Sequence, residues 1–406
     1  MSKLLYIFVI LLILFSVLTV YVMIPQEEEF AKGADEGYYF LFANFIIKNG
    51  IKQFPSLIEH YVSNEAAQLF PTPSRIGHIL MTALWLKIFP NNFVSLARFS
   101  FFCFILFLLV SFYFSKKYFG LDLAYLYTLL LSCSPLTMTL GKRALSDINA
   151  NLFWTLSVWL FLDFLVGKKK EKFIIFLLVY SLSIMIKESS VVLLIFFALS
   201  FLLYRYKYKQ GISNLYLLGL FLGPIFLVGG SYIFLLNGLS NFISLIKTLL
   251  NLHFGTGTQT SEYALLFCTG PWYRYISDYL LLTPLTTILF IGYFFHILFS
   301  RKLDWKIMYF MVYFVIIFAV FSSARYTKVV RLVANLDIVI SLFATLALYE
   351  LFKHKDKQRQ IYLVLMAAVA IFFMNYLNFL YLFCTQNIYD PVSYLLLRAK
   401  KIIPYK

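Results

Sequence analysis

The stretch LLYIFVILLILFSVLTVYVMI (Leu4 to Ile24), followed by PQEEEFAKGADEGYY (Pro25 to Tyr39), decides how the chain is read. The first part is apolar throughout and long enough to cross a hydrocarbon core, which takes roughly 20 residues. One lysine precedes it and no small-residue cleavage site follows, so an uncleaved first span is expected rather than a signal peptide. The second part turns acidic and then aromatic. Asp35 and Glu36 arrive about ten residues after the span and run into Gly37, Tyr38, Tyr39 and Phe40. Carboxylates held beside aromatic rings at a membrane surface commonly do chemistry or bind cations.

The remainder of the 406 residues extends the apolar theme. The chain is 61% hydrophobic and 13% charged, with a mean hydropathy of +0.81. Soluble domains carry about twice that share of charge, so an all-α polytopic membrane protein is expected. No hydrophilic stretch is long enough for a separate soluble domain, and residues 1–406 read as a single membrane domain. The net charge of +16 is not a nucleic-acid signature, because the basic residues are interspersed between apolar runs. Cys103, Cys133, Cys268 and Cys384 are scattered and form no disulfide or zinc pattern. His60, His78, His253, His296 and His354 show no paired ligand spacing.

Basic clusters set the expected topology. They are Lys116-Lys117, Lys168 to Lys172, Arg205 to Lys209, Arg301 to Lys306 and Lys353 to Arg359. If all are cytoplasmic, the chain leaves and returns between each neighbouring pair, with the amino terminus cytoplasmic. Ile76–Phe89 is short for a span and is expected as a buried or interfacial helix within a large outer loop, 25–92. About eleven transmembrane helices result, in a plasma (inner) membrane, with a second, lid-like outer loop over 237–275. The outer side then collects Asp35-Glu36, Gly141 to Asp147, Lys187-Glu188 and Arg325 to Arg331.

Several of these groups have ordinary structural readings. Asp35 or Asp147 can cap a helix. Lys187 and Glu188 can form an internal ion pair, and Arg325, Tyr326, Lys328 and Arg331 can touch outer-leaflet phospholipid. Asp147 can also pair with Arg143 or Lys142. The chemical reading is that outer cations, disfavoured there by the positive-inside bias, answer something negative. Arginine and lysine together suit a phosphate. Gly255, Gly257 and their flanking threonines lack the lysine of a nucleotide-binding loop.

In this order and on this shared side, the residues resemble a C-type (GT-C) glycosyltransferase of the protein O-mannosyltransferase and aminoarabinose lipid A transferase group. Asp35-Glu36-Gly37-Tyr38-Tyr39 matches the group's acidic pair after the first span. Arg143-Ala144-Leu145-Ser146-Asp147 matches its Asp in the second outer loop. Ile186-Lys187, Gly270-Pro271-Trp272-Tyr273 and Arg325-Tyr326 are similar to later motifs, over about residues 1–350. Two departures are expected: Pro71-Thr72-Pro73-Ser74-Arg75 stands where a Pro-Pro pair is frequent, and residues 1–406 do not include the large soluble carboxyl-terminal domain of some members.

The resemblance implies inverting transfer of a sugar from a polyprenyl-phosphate donor to an acceptor hydroxyl or phosphate on the extracytoplasmic face, in service of cell-envelope glycan modification. Asp35 would be the base, with Glu36 and Asp147 positioning it; these three acids are also the candidate ligands if a divalent cation takes part. Lys187, Arg325, Lys328 and Arg331 would hold the donor phosphate. Tyr38, Tyr39, Arg143, Glu188, Trp272, Tyr273 and Tyr326 are the expected substrate contacts. The acceptor, whether lipid, glycan or protein, is not named by the sequence; membrane lipid is the expected surrounding and nucleic acid is not a partner. A transporter or flippase of a lipid-linked or anionic substrate is the main alternative, although no charged pair sits in mid-span. A lipid-linked glycan ligase or a non-catalytic scaffold subunit are further alternatives.

Overall fold

The computed structural model describes residues 2–208, 212–254, 269–300, 304–324 and 328–385. Among them the regular structure is helical throughout. In chain order the α-helices are α1 (Lys3–Val22), α2 (Asp35–Asn49), α3 (Phe54–Ser63), α4 (Ile76–Ile88), α5 (Phe93–Phe119), α6 (Leu121–Ser132), α7 (Pro135–Lys142), α8 (Asp147–Gly167) and α9 (Lys170–Ile186). They continue as α10 (Leu193–Tyr208), α11 (Asn214–Pro224), α12 (Gly230–Leu235), α13 (Leu239–Phe254), α14 (Arg274–Leu282), α15 (Pro284–Phe299), α16 (Trp305–Ser323), α17 (Asp337–Leu351) and α18 (Lys357–Phe379).

Eight helical stretches among the described residues are long and apolar enough to cross a membrane, or nine if the bent pair α6–α7 counts as one span. The protein is an integral membrane protein. Two of the eleven expected spans fall short of that test. Helix α9 has 17 residues, and the run 276–299 is divided because Pro284 starts a new helix after Thr283. Ile76–Ile88 is a helix of 13 residues, as its length implied.

The chain divides into two interleaved compact units. The first comprises Met1–Met23, Phe104–Lys142 and Leu266–Lys406. Its core is mainly aliphatic, with Val9 of α1, Leu126 and Leu130 of α6, Ala344 and Leu348 of α17, and Val364 and Ala368 of α18, closed by the ring of Phe372. The bend of 64° between α6 and α7 falls at Cys133-Ser134. There Ser134 and Thr137 each donate a 2.5 Å hydrogen bond to buried Asp337, the first residue of α17. The carboxylate thereby holds the two helix ends that the bend leaves open.

The second unit comprises Ile24–Cys103 and Arg143–Leu265. Tyr39, Phe42, Ala43 and Ile46 form the buried stripe of α2 at helical spacing. Phe42, Ala43 and Ile46 are joined by Phe54, Leu57 and Ile58 of α3, Ile79, Ala83 and Leu86 of α4, and Leu245 of α13. Helices α8 and α9 interlock through Phe161, Phe164, Phe173 and Phe176. Helix α2 stops at Gly50, whose φ of 77° favours glycine. Helix α9 stops because Lys187 adopts extended backbone (φ −153°, ψ 120°) before the chain resumes as a 3-10 turn over Glu188–Val192.

Candidate active site

Three segments of the second unit present their helix starts to one cluster: Asp35-Glu36 on α2, Arg143 to Asp147 leading into α8, and Lys187-Glu188 at the break after α9. All four carboxylates occupy the first turn of a helical segment, where the macrodipole favours negative charge. Neither Ala34 before α2 nor Ser146 before α8 makes a side-chain cap.

Glu36 is the anchor. It is fully buried, and Arg143 grips it with Nε at 2.8 Å from Oε1 and Nη2 at 2.5 Å from Oε2. The backbone N–H of Ala144 donates to Oε1 at 3.0 Å and that of Ala31 to Oε2 at 2.9 Å. A buried carboxylate needs such company, since desolvation is costly unless charge and lone pairs are both answered. Gly37 makes the arrangement sterically open: a Cβ there would overlap the Lys32 carbonyl, where the 31–34 turn folds back over the start of α2. The guanidinium of Arg143 also lies 5.5 Å over the Phe30 ring.

Tyr39 forms the second layer. Its hydroxyl accepts from Ser146 Oγ at 2.8 Å and from Arg75 Nη1. Burial pushes its phenol up to about 12; Arg75 opposes the rise, and the Asp35 and Asp147 carboxylates add to it. Asp35 itself is part-exposed. Lys187 donates to Asp147 Oδ1 at 2.7 Å, both side chains being buried. Arg75 donates from Nε to Glu188 Oε2 at 3.0 Å and from Nη2 to Oε1 at 2.6 Å. Behind this layer, His78 Nδ1 lies 3.2 Å from Asn149 Nδ2, and its ring meets Tyr39 edge-on. Gly77 lets α4 approach closely here, because a Cβ would lie 3.1 Å from the Ile186 backbone.

Asp35, Glu36, Tyr39, Arg143, Asp147, Lys187 and Glu188 are thus brought together. Their pairing differs from expectation in three respects. Lys187 turns to Asp147 and Glu188 to Arg75, so the internal pair of adjacent residues does not form. Tyr39, expected to touch substrate, is 1% exposed and spends its hydroxyl on Arg75 and Ser146. Glu36, one of three candidate cation ligands, has both oxygens engaged by four donors. No three His, Cys, Asp or Glu residues come together as a metal set among the described residues. Asp35, Glu36 and Asp147 therefore do not fit a cation as a trio, and no chemistry is derived through one. Tyr38 stacks on Phe70 at 4.1 Å.

Other expected residues belong to the first unit. Lys328 donates from Nζ to the carbonyls of Gly270 (2.7 Å) and Pro271 (3.3 Å), tying down the turn before α14. Trp272 and Tyr273 are exposed and meet edge-on. Arg331 lies in the 3-10 segment Val330–Leu336. Arg325 and Tyr326 lie outside the described residues, as do 255–268 of the expected lid; residues 239–254 of that loop form α13, packed through Phe242, Leu245 and Leu249.

Arg75 and Ser146 are the partners that the sequence did not single out. Arg75 carried the same signal as Lys187, a basic residue expected on the outer side next to an apolar helix. Its place after Pro71-Thr72-Pro73 hid it.

Residues 75–233 match the family described as dolichyl-phosphate-mannose-protein mannosyltransferase. The fold is similar to that of ArnT from Cupriavidus metallidurans bound to undecaprenyl phosphate, with a TM-score of 0.61 and 12% identity over 92% of this chain and 76% of that one. It is also similar to the apo Archaeoglobus fulgidus oligosaccharyltransferase, with a TM-score of 0.56 and 12% identity over 93% of this chain and 56% of that one. The archaeal oligosaccharyltransferase AglB from the same organism, in complex with an inhibitory peptide and a dolichol-phosphate, gives 0.56 at 11% identity, again over 93% and 56%. No curated protein matches the chain in sequence. The fold is that of the C-type membrane glycosyltransferases. Within that class the resemblance is to the dolichyl-phosphate-mannose-protein mannosyltransferase family, through a matched segment that begins at Arg75.

Proposed function

We propose that the protein is a glycosyltransferase that moves a sugar from a polyprenyl-phosphate donor to an acceptor hydroxyl on the extracytoplasmic face, with inversion. Asp35 takes the proton of the acceptor O–H as that oxygen attacks the anomeric carbon. The bond from this carbon to the phosphate oxygen breaks, and polyprenyl phosphate leaves with the electron pair. A phosphate leaving group needs little acid assistance, so one base and cationic stabilisation of the phosphate suffice. Asp147, held by Lys187, supports the acceptor beside Asp35. Within the second unit the sequence nominates Lys187 for the donor phosphate, and its ammonium also holds Asp147.

The observation that carries the reading is the four-donor clamp on Glu36. It fixes the start of α2, which carries Asp35, against the approach to α8, which carries Asp147. ArnT and AglB, whose folds this chain shares, are described with undecaprenyl phosphate and dolichol-phosphate respectively, which supports a polyprenyl carrier. The test is incubation of purified protein with a panel of radiolabelled polyprenyl-phosphate sugars. Donor consumption by the wild type that is lost in Asp35→Asn supports the proposal. Binding and movement of a lipid-linked sugar with no bond broken would instead identify a transporter.

A further inference from the structure

The three ion pairs of the site differ in how far solvent reaches them. Side chains of the Glu36–Arg143 and Asp147–Lys187 pairs are at most 9% exposed. Those of Arg75 and Glu188 are 15% and 25% exposed. Arg75 is also supported from behind, since Nη1 donates to the Tyr39 hydroxyl, which Ser146 fixes in turn. Its other two donors form a fork on the Glu188 carboxylate. That fork suits two oxygens of a phosphate equally well.

Resting on the proposed donor class, we infer that Arg75 is the exchangeable anion-binding group of the site, and that Glu188 is a resident counter-ion displaced by a lipid-linked phosphate monoester. Exchange at Arg75 replaces two charge-assisted hydrogen bonds with two others and a carboxylate with a more highly charged oxyanion. Exchange at Arg143 would instead break into the four-donor clamp around a fully buried carboxylate, leaving that charge stranded. Glu188 is well placed to yield: it opens a 3-10 turn directly after the extended Lys187, at a break between helices. Arg75 thus acts as a phosphate contact, and Glu188 as the group that keeps it oriented until the phosphate arrives.

The test measures binding of sugar-free polyprenyl monophosphate to the purified full chain, with polyprenol and inorganic phosphate as separate arms. Arg75→Ala is expected to weaken polyprenyl monophosphate binding by about tenfold or more while leaving polyprenol unchanged. Glu188→Gln, which removes the competitor, is expected to tighten it by about two- to fivefold. The opposite signs are the signature. Were the pair only a structural pin, both variants would weaken binding, and that result overturns the inference. If Arg75→Ala does not fold, Arg75→Lys against Glu188→Gln gives the same contrast. Inorganic phosphate binding with the same dependence, and without polyprenyl monophosphate binding, overturns the lipid-linked source. Failure of the wild type to bind polyprenyl monophosphate at all removes the donor class as well, whereas binding indifferent to both variants removes Arg75 alone.

Discussion

Arg143 holds Glu36 through two parallel hydrogen bonds, 2.8 and 2.5 Å long, at a place where neither side chain is more than 6% exposed. The pair joins residues more than a hundred positions apart and makes the start of α2 and the approach to α8 one rigid body. Removing one partner leaves a buried charge unanswered, which costs about 3–5 kcal/mol. Glu36→Ala and Arg143→Ala should each lower the unfolding temperature in detergent. The double variant should be less destabilised than the sum of the two. Additive losses in that cycle would mean the two groups stand alone.

Gly37 should tolerate nothing larger. Gly37→Ala drives a methyl into the Lys32 carbonyl, so the 31–34 turn must move and the Ala31 N–H to Glu36 bond must open. Activity and thermal stability should fall together, stability by about 1–3 kcal/mol. A variant that unfolds at the wild-type temperature would show that the turn is not needed.

Lys187 donates to the buried Asp147, and in the proposed reaction that bond orients the acid. Lys187→Met should reduce transfer by about 10- to 150-fold, the worth of one hydrogen bond to a charged group, and Lys187→Arg should recover part of it. Steady-state rates of the two variants decide this; equal loss in both would show that the ammonium geometry, and not only its charge, is required.

In the first unit, Asp337 closes the α6–α7 bend through Ser134 and Thr137. Thr137→Val removes one of these bonds and should cost about 1.5–3 kcal/mol of stability. Donor affinity should remain. A large change in donor affinity with unchanged stability would give Asp337 a ligand role instead.

Much of this organisation follows from local pattern. The apolar run of Leu4 to Ile24, the acids at Asp35-Glu36 and the interruption at Lys187-Glu188 are all visible as changes of composition, and each marks a helix boundary. Choice of partner is not local. Whether Lys187 meets Glu188, its neighbour, or Asp147, forty residues away, depends on an extended backbone at one residue. Arg75 immediately precedes α4 but follows a short proline-containing segment, and its partner Glu188 lies more than a hundred residues away, so its role emerges only when α4 packs on α9 at Gly77. Tyr39 and Tyr38 are adjacent and equally aromatic, yet helical geometry sends the first into the core and leaves the second part-exposed. The run 276–299 is apolar enough for a span, but Pro284 divides it, and apolar content alone does not show where a helix breaks.

The central claim is that Asp35 takes the acceptor proton. Its most direct test is the single-turnover rate of Asp35→Asn, measured with the consumed polyprenyl-phosphate sugar at saturation alongside donor affinity. General-base catalysis is worth about 10²–10⁴ in rate, so transfer should slow by that factor while the donor binds as it does to the wild type. Transfer by Asp35→Asn at close to the wild-type rate would contradict the account.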